Sequence, residues 1–399
     1  MKTILFGAIL LTAHAPPAMA NTSEATNDWL ALDEQLESMA SSIQSSKGNV
    51  DVGAIVRSYY RYSTDFQDSL GADFSGFVME HARLYAQGAY GSFDWRFSTG
   101  FVEGPFTPDA PLTPGEPIAG SGTVPLTSAP VDQQFEAELL DAYARWNLVP
   151  TFSVQFGHIN PRDSFTGSVR PDRLLFPQRS FLGELFHEWD LGVQFEGTYG
   201  NEENPSLAWS VAVLNGDDGT EEDLDLRARI DFHTQGNGAG LVEGSYEPDG
   251  EIGGTLGLFW VDDEDISDPL GGTTGVGGTI WGADYHATYG SMGLVAEYAD
   301  LDSNAANAAG LGNSSAKYWS LAFSSLLSQG PGGFEFAARY EDLDSTSADT
   351  RLTLGLNYYV PEYNAKWQFA WVDLSSDDPA LDGDVFQLGL SAALSTVDR

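Results

Sequence analysis

Hydrophobic and polar positions alternate with a period of two in short segments that recur from Asp51 to the end of the chain. In "RLTLGLNYYV", Leu352, Leu354, Leu356, Tyr358 and Val360 fall on one side, and Arg351, Thr353, Gly355, Asn357 and Tyr359 on the other. Successive side chains of a β-strand point to opposite faces, so this spacing predicts a strand with one apolar and one wet face. "DLRARIDFH" repeats the pattern, with Arg227 and Arg229 opposite Leu226, Ala228, Ile230 and Phe232. Further examples are "FSVQFGHIN" from Phe152, "WDLGVQFEGTY" from Trp189 and "FEFAARYED" from Phe334. Counting such segments gives about sixteen strands, the segment-and-turn signature of a membrane barrel.

Connections between these segments alternate in length. Tight ones such as "YGS" at Tyr90, "LVPT" at Leu148, "GS" at Gly290 and "PEYN" at Pro361 alternate with longer, acidic ones such as "DDGTEED" at Asp217 and "DDPALDGD" at Asp377. Short turns on one side and long loops on the other describe an all-β fold, a transmembrane antiparallel barrel with both ends on the short-turn side. Closure also removes the exposed edges that so many strands would otherwise present. A soluble two-sheet sandwich is compatible with an exported chain but does not explain the alternation of loop lengths. The join from Gly236 to Gly253 breaks the pattern, being long where a tight turn is expected.

The start of the chain follows other periods. "MKTILFGAILLTAHAPPAMA" has one lysine, an apolar run from Ile4 to Ala13 and a small-x-small end at Ala18 to Ala20, which predicts a cleaved signal peptide over residues 1–20. In residues 21–50, Trp29, Leu32, Leu36, Met39 and Ile43 recur at spacings of three and four, a helical seam with Asn27 or Asp28 as N-cap. Two heptads are too short to stand alone. A self-associating coiled coil and a helix packed on the rest of the protein both satisfy the seam. The barrel then occupies residues 51–399. No later stretch approaches the roughly 20 apolar residues of a membrane helix, and cysteine is absent, so neither disulfides nor thiolate metal sites contribute.

The formal net charge of -40 argues against nucleic acid as a partner and makes the 18 Lys and Arg residues worth locating. Arg57, Arg61, Arg83, Arg145, Arg227, Arg229, Arg339 and Arg351 all fall on the polar faces of predicted strands. An arginine facing lipid near the bilayer midplane costs about 2–4 kcal/mol, so these faces are expected to line the interior. Two roles fit them equally: conduction, or simple pairing with carboxylates such as Asp141, Asp231, Glu196 or Glu335. Enzymatic chemistry is not expected. His81, His158, His187, His233 and His286 lack metal-ligand spacing, no nucleophile motif occurs, and "GTTGVGG" at Gly272 has no strand-to-helix phosphate cradle. No cofactor and no metal are implied.

The stretches "LLDAYARWNLVPTFSVQFGHINPRDSF", "RLLFPQRSFLGELFHEWDLGVQFEG" and "ARLYAQGAYGSFDWRFSTGF" resemble the phosphate-selective porin O and P family, most strongly from Leu139 to Gly197. The resemblance implies a sixteen-stranded outer-membrane channel, homotrimeric, with a short periplasmic helical segment and outer-membrane lipids, small ions and solutes as partners. It also implies that the loop after the fifth strand folds inward, bringing Arg162, Arg170, Arg173 and Arg179 to a constriction that favours anions, since arginine pairs bidentately with carboxylate or phosphate. The lysine-rich lumens of phosphate-selective members have no counterpart among the four lysines here. A substrate-specific channel or surface receptor for a small organic solute, using Tyr59, Tyr143 and Tyr359, is the alternative. The acidic outer loops are expected to be a solvated surface, or to hold divalent cations or bridge lipid phosphates.

Overall fold

The computed structural model describes residues 49–64, 75–103, 135–200, 205–216, 224–235, 242–245, 252–263, 278–308, 315–327, 332–344, 349–360, 365–375 and 382–395. They form sixteen strands: β1 (Asn49–Thr64), β2 (Ser75–Tyr90), β3 (Phe93–Glu103), β4 (Phe135–Val149), β5 (Phe152–Ile159), β6 (Asp190–Gly200), β7 (Pro205–Leu214), β8 (Asp225–Gln235), β9 (Ile252–Asp263), β10 (Gly278–Tyr289), β11 (Met292–Leu301), β12 (Ala316–Leu326), β13 (Phe334–Asp344), β14 (Asp349–Tyr359), β15 (Ala365–Ser375) and β16 (Gly383–Ser395). Neighbours in sequence are neighbours in the sheet, and β1 pairs with β16 from Gly53 opposite Ser395 to Thr64 opposite Asp384, so the barrel closes. The predicted signal peptide and the seam from Trp29 to Ile43 lie outside the described residues.

Alternation sets the two faces of the wall. Along β12, Lys317, Trp319, Leu321 and Phe323 are exposed while Ala316, Tyr318, Ser320 and Ala322 are buried. On β8, Leu226 and Phe232 face out, and Asp225, Arg227, Arg229 and Asp231 face in. The outer face is an apolar belt that includes Leu256, Leu258, Phe323, Leu356, Phe369 and Leu388. Aromatic pairs edge it near both rims, Phe93 with Trp146 and Phe334 with Tyr358 at the short-turn end, Trp281 with Tyr298 and Trp319 with Tyr340 at the other. Strands of about ten residues, rising about 3.3 Å each and tilted about 40°, match an apolar band roughly 25 Å tall. This is the outer surface of a barrel that spans a bilayer.

Turns at one rim are tight, and two of them rest on glycines in the left-handed region, Gly91 (φ 63°) and Gly290 (φ 56°). The β8 to β9 connection at this rim, from Gln235 to Ile252, is the long exception.

The β5 to β6 connection, residues 160–189, lies inside the barrel. Its sequence explains why: Phe165, Val169, Leu174, Leu175, Phe176, Leu182 and Phe186 are each worth roughly 1.5–3 kcal/mol when buried, and all are buried here. Two short helices carry some of them, α1 (Phe165–Ser168) and α2 (Phe181–Leu185), each N-capped by a serine, Ser164 accepting from Gly167 N and Ser180 from Gly183 N, both at 3.0 Å. Leu182 and Phe186 meet Phe259, Val261, Ile280, Leu301 and Tyr318, together with Ala305 and Ala306 of α3 (Ser303–Ala308) from the β11 to β12 connection. Phe165, Val169 and Leu174 pack on Val295 and Ala322, and Leu175 and Phe176 on Ala337. The interior along β9 to β13 is therefore a packed core built between loop and wall.

Candidate functional site

Charged side chains of the wall fasten the inward loop at several points, and its neck is closed by a bond of its own. At its neck, Asn160 Nδ2 donates to Glu188 O at 2.7 Å. Arg227 Nη1 then binds Asp163 Oδ2 at 2.7 Å, while Arg229 donates to Asp163 O at 2.8 Å and grips both oxygens of Asp284 at 2.6 and 2.8 Å. Arg229 also holds Asp231 at 2.7 Å, and Asp284 accepts from Phe165 N at 3.1 Å. Burial pushes the Asp163 carboxyl up, against the opposing pull of Arg227. Thr166 and Ser180 both donate to Glu297, at 2.6 and 3.0 Å.

Further along, Arg57 donates to Phe176 O and Pro177 O at 3.2 and 2.5 Å and meets Glu80 at 3.2 Å. Arg339 donates to Gln178 O and Arg179 O at 3.3 and 2.9 Å, with its guanidinium 4.7 Å from the centre of the Phe176 ring. Glu341 gathers Arg339 at 2.9 Å, Arg351 at 2.6 Å, Tyr318 OH at 2.9 Å and Phe181 N at 2.8 Å. Arg179 turns back into the loop, donating to Thr166 O at 2.6 Å and to His187 Nε2 at 3.2 Å. Burial lowers its guanidinium to about 10. Burial, with Arg179 beside it, also holds His187 well below the usual imidazole range, so the ring is neutral and its Nδ1 donates to Gly167 O at 3.2 Å.

The arginines thus divide by exposure. Arg57, Arg61, Arg83, Arg179, Arg227, Arg229 and Arg339 are buried. The side chains of Arg145, Arg162 and Arg170 remain 32, 39 and 34% exposed, and those of Arg351 and Arg96 21 and 17%. Arg145 meets Glu196 at 3.1 Å and Gln155 at 2.7 Å, Arg162 reaches Asp231 at 3.5 Å, and Arg96 meets Asp141 at 2.8 Å. Arg170 and Asp172 form a two-toothed pair at 3.0 and 2.6 Å. Burial works to raise the Asp172 carboxyl, but Arg170 overrides it and holds the group low. Arg173 is partly buried, and its backbone bonds to the loop and to Glu243. An open cavity of about 130 Å³ near the short-turn rim is lined by Arg162, Glu196, Asp231, Ser153 and Asn147.

Some of these participants are not among the residues expected from sequence. Arg96 shares the polar face of β3 with Asp94, the same signal that marked Arg145, and was legible by that rule. Asp163, Asp284, Glu297 and Glu341 carry no such signal, because parity along a strand says which face a carboxylate occupies and not which loop group meets it. Tyr59, Tyr143 and Tyr359 sit on β1, β4 and β14 respectively: Tyr59 is buried, Tyr143 packs beside Ile159, and Tyr359 donates to Glu335. The histidines serve as packing and hydrogen-bonding groups, with His286 stacked on Phe165 at 3.8 Å and His233 beside Thr255 at 2.9 Å. Among the described residues no group of three or more His, Cys, Asp or Glu side chains is placed to hold a metal ion.

A closed sixteen-stranded barrel with a lipid-facing belt, narrowed from within by one folded loop, is the architecture of an outer-membrane porin. Solved porin structures share it. Salmonella typhi OmpF, in complex with daunomycin, superposes with a TM-score of 0.54 at 10% identity, covering 87% of this chain and 97% of that one. Pseudomonas putida OprB, in a high-pH structure, gives 0.57 at 8% identity over 90% and 97% of the two chains. The likeness is one of fold. No family profile and no curated protein sequence matches the chain.

Proposed function

We propose that the protein is a porin of the bacterial outer membrane, a water-filled channel for passive diffusion of small ions and solutes, without a chemical step. The observation that carries this reading is the division of the interior: β9 to β14 and most of the loop form a packed, clamped body, while Arg96 and Arg145 on β3 and β4, and Arg162 and Arg170 on the loop, keep solvent access. These four are among the groups a permeating ion meets, with Glu196 and Asp172 interspersed. Positive charge in a confined path favours anions, and the neighbouring carboxylates keep that preference modest. In a planar bilayer across a potassium chloride gradient, Arg96→Ala with Arg145→Ala is expected to move the reversal potential toward cation preference. The shift should fade near 1 M salt, where the Debye length is roughly 3 Å. An unchanged potential at low salt overturns the assignment.

The finer resemblance to phosphate-selective porins belongs to the same proposal. Arg162 and Arg170 are the groups able to engage phosphate, and inorganic phosphate should then block chloride current at concentrations well below those of chloride. A substrate-specific channel is favoured by one feature, the cavity of about 130 Å³ that sets Arg162 against Glu196 and Asp231. Flux that saturates at low solute concentration selects that alternative. Assembly as a homotrimer through the seam at Trp29 to Ile43 is expected to be weakened by deleting residues 21–48, with the barrel intact, and sedimentation as a monomer in mild detergent excludes it.

A further inference from the structure

The β8 to β9 connection starts from the rim where all turns should be short, yet Val242 to Ser245 lie inside the barrel against the loop and the far wall. Glu243 N donates to Arg173 O at 3.3 Å, and Glu243 Oε2 accepts from Leu175 N at 2.8 Å. Two residues on, Ser245 donates through both N and Oγ to Glu335 Oε1, at 2.7 and 2.9 Å. Gly244, between them, passes so close to β13 that a Cβ would stand 2.6 Å from Glu335 Oε1, and Gly293 of β11 leaves room for the Gly244 backbone. Glu243, Gly244 and Ser245 are all buried.

The polar groups of the loop at this point are met from two directions. Leu174 O accepts from Lys366 and Gln368, and Leu175 O from Asn357 at 2.9 Å, all from β14 and β15. Those wall side chains satisfy carbonyls. The Leu175 N–H is satisfied by Glu243, and a buried N–H left without an acceptor costs about 1–3 kcal/mol. An acceptor carrying charge makes the stronger bond.

We propose that Glu243 is a positioning residue, carried into the lumen from the short-turn rim, that holds the inward loop at residues 173–175 and thereby sets the width of the path. The loop reaches the lumen from the opposite rim, so the narrow region is built from both ends of the barrel. The effect on conductance rests on the channel reading above, whereas the seating of the segment does not.

The natural chain has no cysteine, so single thiols report seating cleanly. Ser245→Cys in the full-length protein, challenged with a charged thiol reagent, should react at least about tenfold more slowly than Ser206→Cys, at an exposed position of β7. Equal rates overturn the seating. Adding Glu243→Ala to a Leu174→Cys variant should speed labelling of that buried loop position by a similar factor. In bilayers, Glu243→Ala should raise single-channel conductance and open-channel noise, while Glu243→Gln, whose amide oxygen still accepts the Leu175 N–H, stays near the unsubstituted protein. A purely structural role would move neither this pair apart nor the loop thiol. Unchanged Leu174→Cys labelling in Glu243→Ala overturns the positioning role. Absence of channel activity in the unsubstituted protein overturns the channel reading instead, with the thiol results still standing.

Discussion

Replacing Arg227 and Arg229 together by alanine is expected to raise single-channel conductance by about twofold or more and to make the open current noisy, because a released loop widens the path. These two side chains stand side by side on β8 as a clamp: one takes the side chain of Asp163, the other its carbonyl and the carboxylate of Asp284, which in turn holds Phe165 N. Their removal leaves Asp163 and Asp284 buried without these cations and Asp231 with Arg162 alone, a change worth about 3–5 kcal/mol for each broken buried pair. The reversal potential should also move toward cations, as carboxylates are uncovered. Arg229→Lys should act in the same direction, since an ammonium cannot span both oxygens of Asp284 as the guanidinium fork does. Conductance and noise equal to those of the unsubstituted channel, in a variant that still folds to the barrel, would exclude the clamp.

Glu341→Ala is expected to lower the stability of the folded barrel by about 3–5 kcal/mol, read as a lower urea midpoint in lipid or detergent and a lower temperature for the shift in electrophoretic mobility. Glu341 is fully buried and is the shared partner of Arg339, Arg351, Tyr318 OH and Phe181 N. Two guanidinium groups would stay in the interior after the carboxylate they share is gone. Glu341→Gln should fall between the two, keeping an acceptor for Phe181 N or Tyr318 but not the charge. A midpoint within experimental scatter of the parent would mean that water or neighbouring acids replace the carboxylate.

Strand positions and faces were legible in the sequence because the barrel imposes the same rule on every strand. For β14 the period of two assigned Thr353, Gly355, Asn357 and Tyr359 to one face, and all four are buried inside while Leu356 faces out. The segments "FSVQFGHIN" from Phe152 and "WDLGVQFEGTY" from Trp189 coincide with β5 and β6 to within one residue at each end. What parity cannot supply is depth. It placed Arg145 and Arg227 on the same kind of face, yet one remains a third exposed and the other is locked against a loop residue 64 positions away. The inward course of residues 160–189 was implied by resemblance, although Phe165, Leu174, Leu175, Phe176, Leu182 and Phe186 in one connection already demand a covered site. The length of the β8 to β9 connection was visible as an anomaly, and its destination was not, because nothing local in "VEGS" names Leu175 or Glu335 as a partner.

The clamped loop also has a consequence for biogenesis. Its partners lie far downstream: Phe181 meets Glu341 at a separation of 160 residues, and Leu174 meets Lys366 at 192. Contacts of such sequence separation form late, since the entropy of closing long loops must be overcome first. A nascent barrel that has laid down β5 and β6 therefore carries a greasy, uncovered hairpin of chain until β9 to β15 arrive to enclose it. Periplasmic chaperones and the insertion machinery would have to shield that segment for most of the folding time, and the last strands to join would complete the interior and the wall in a single event.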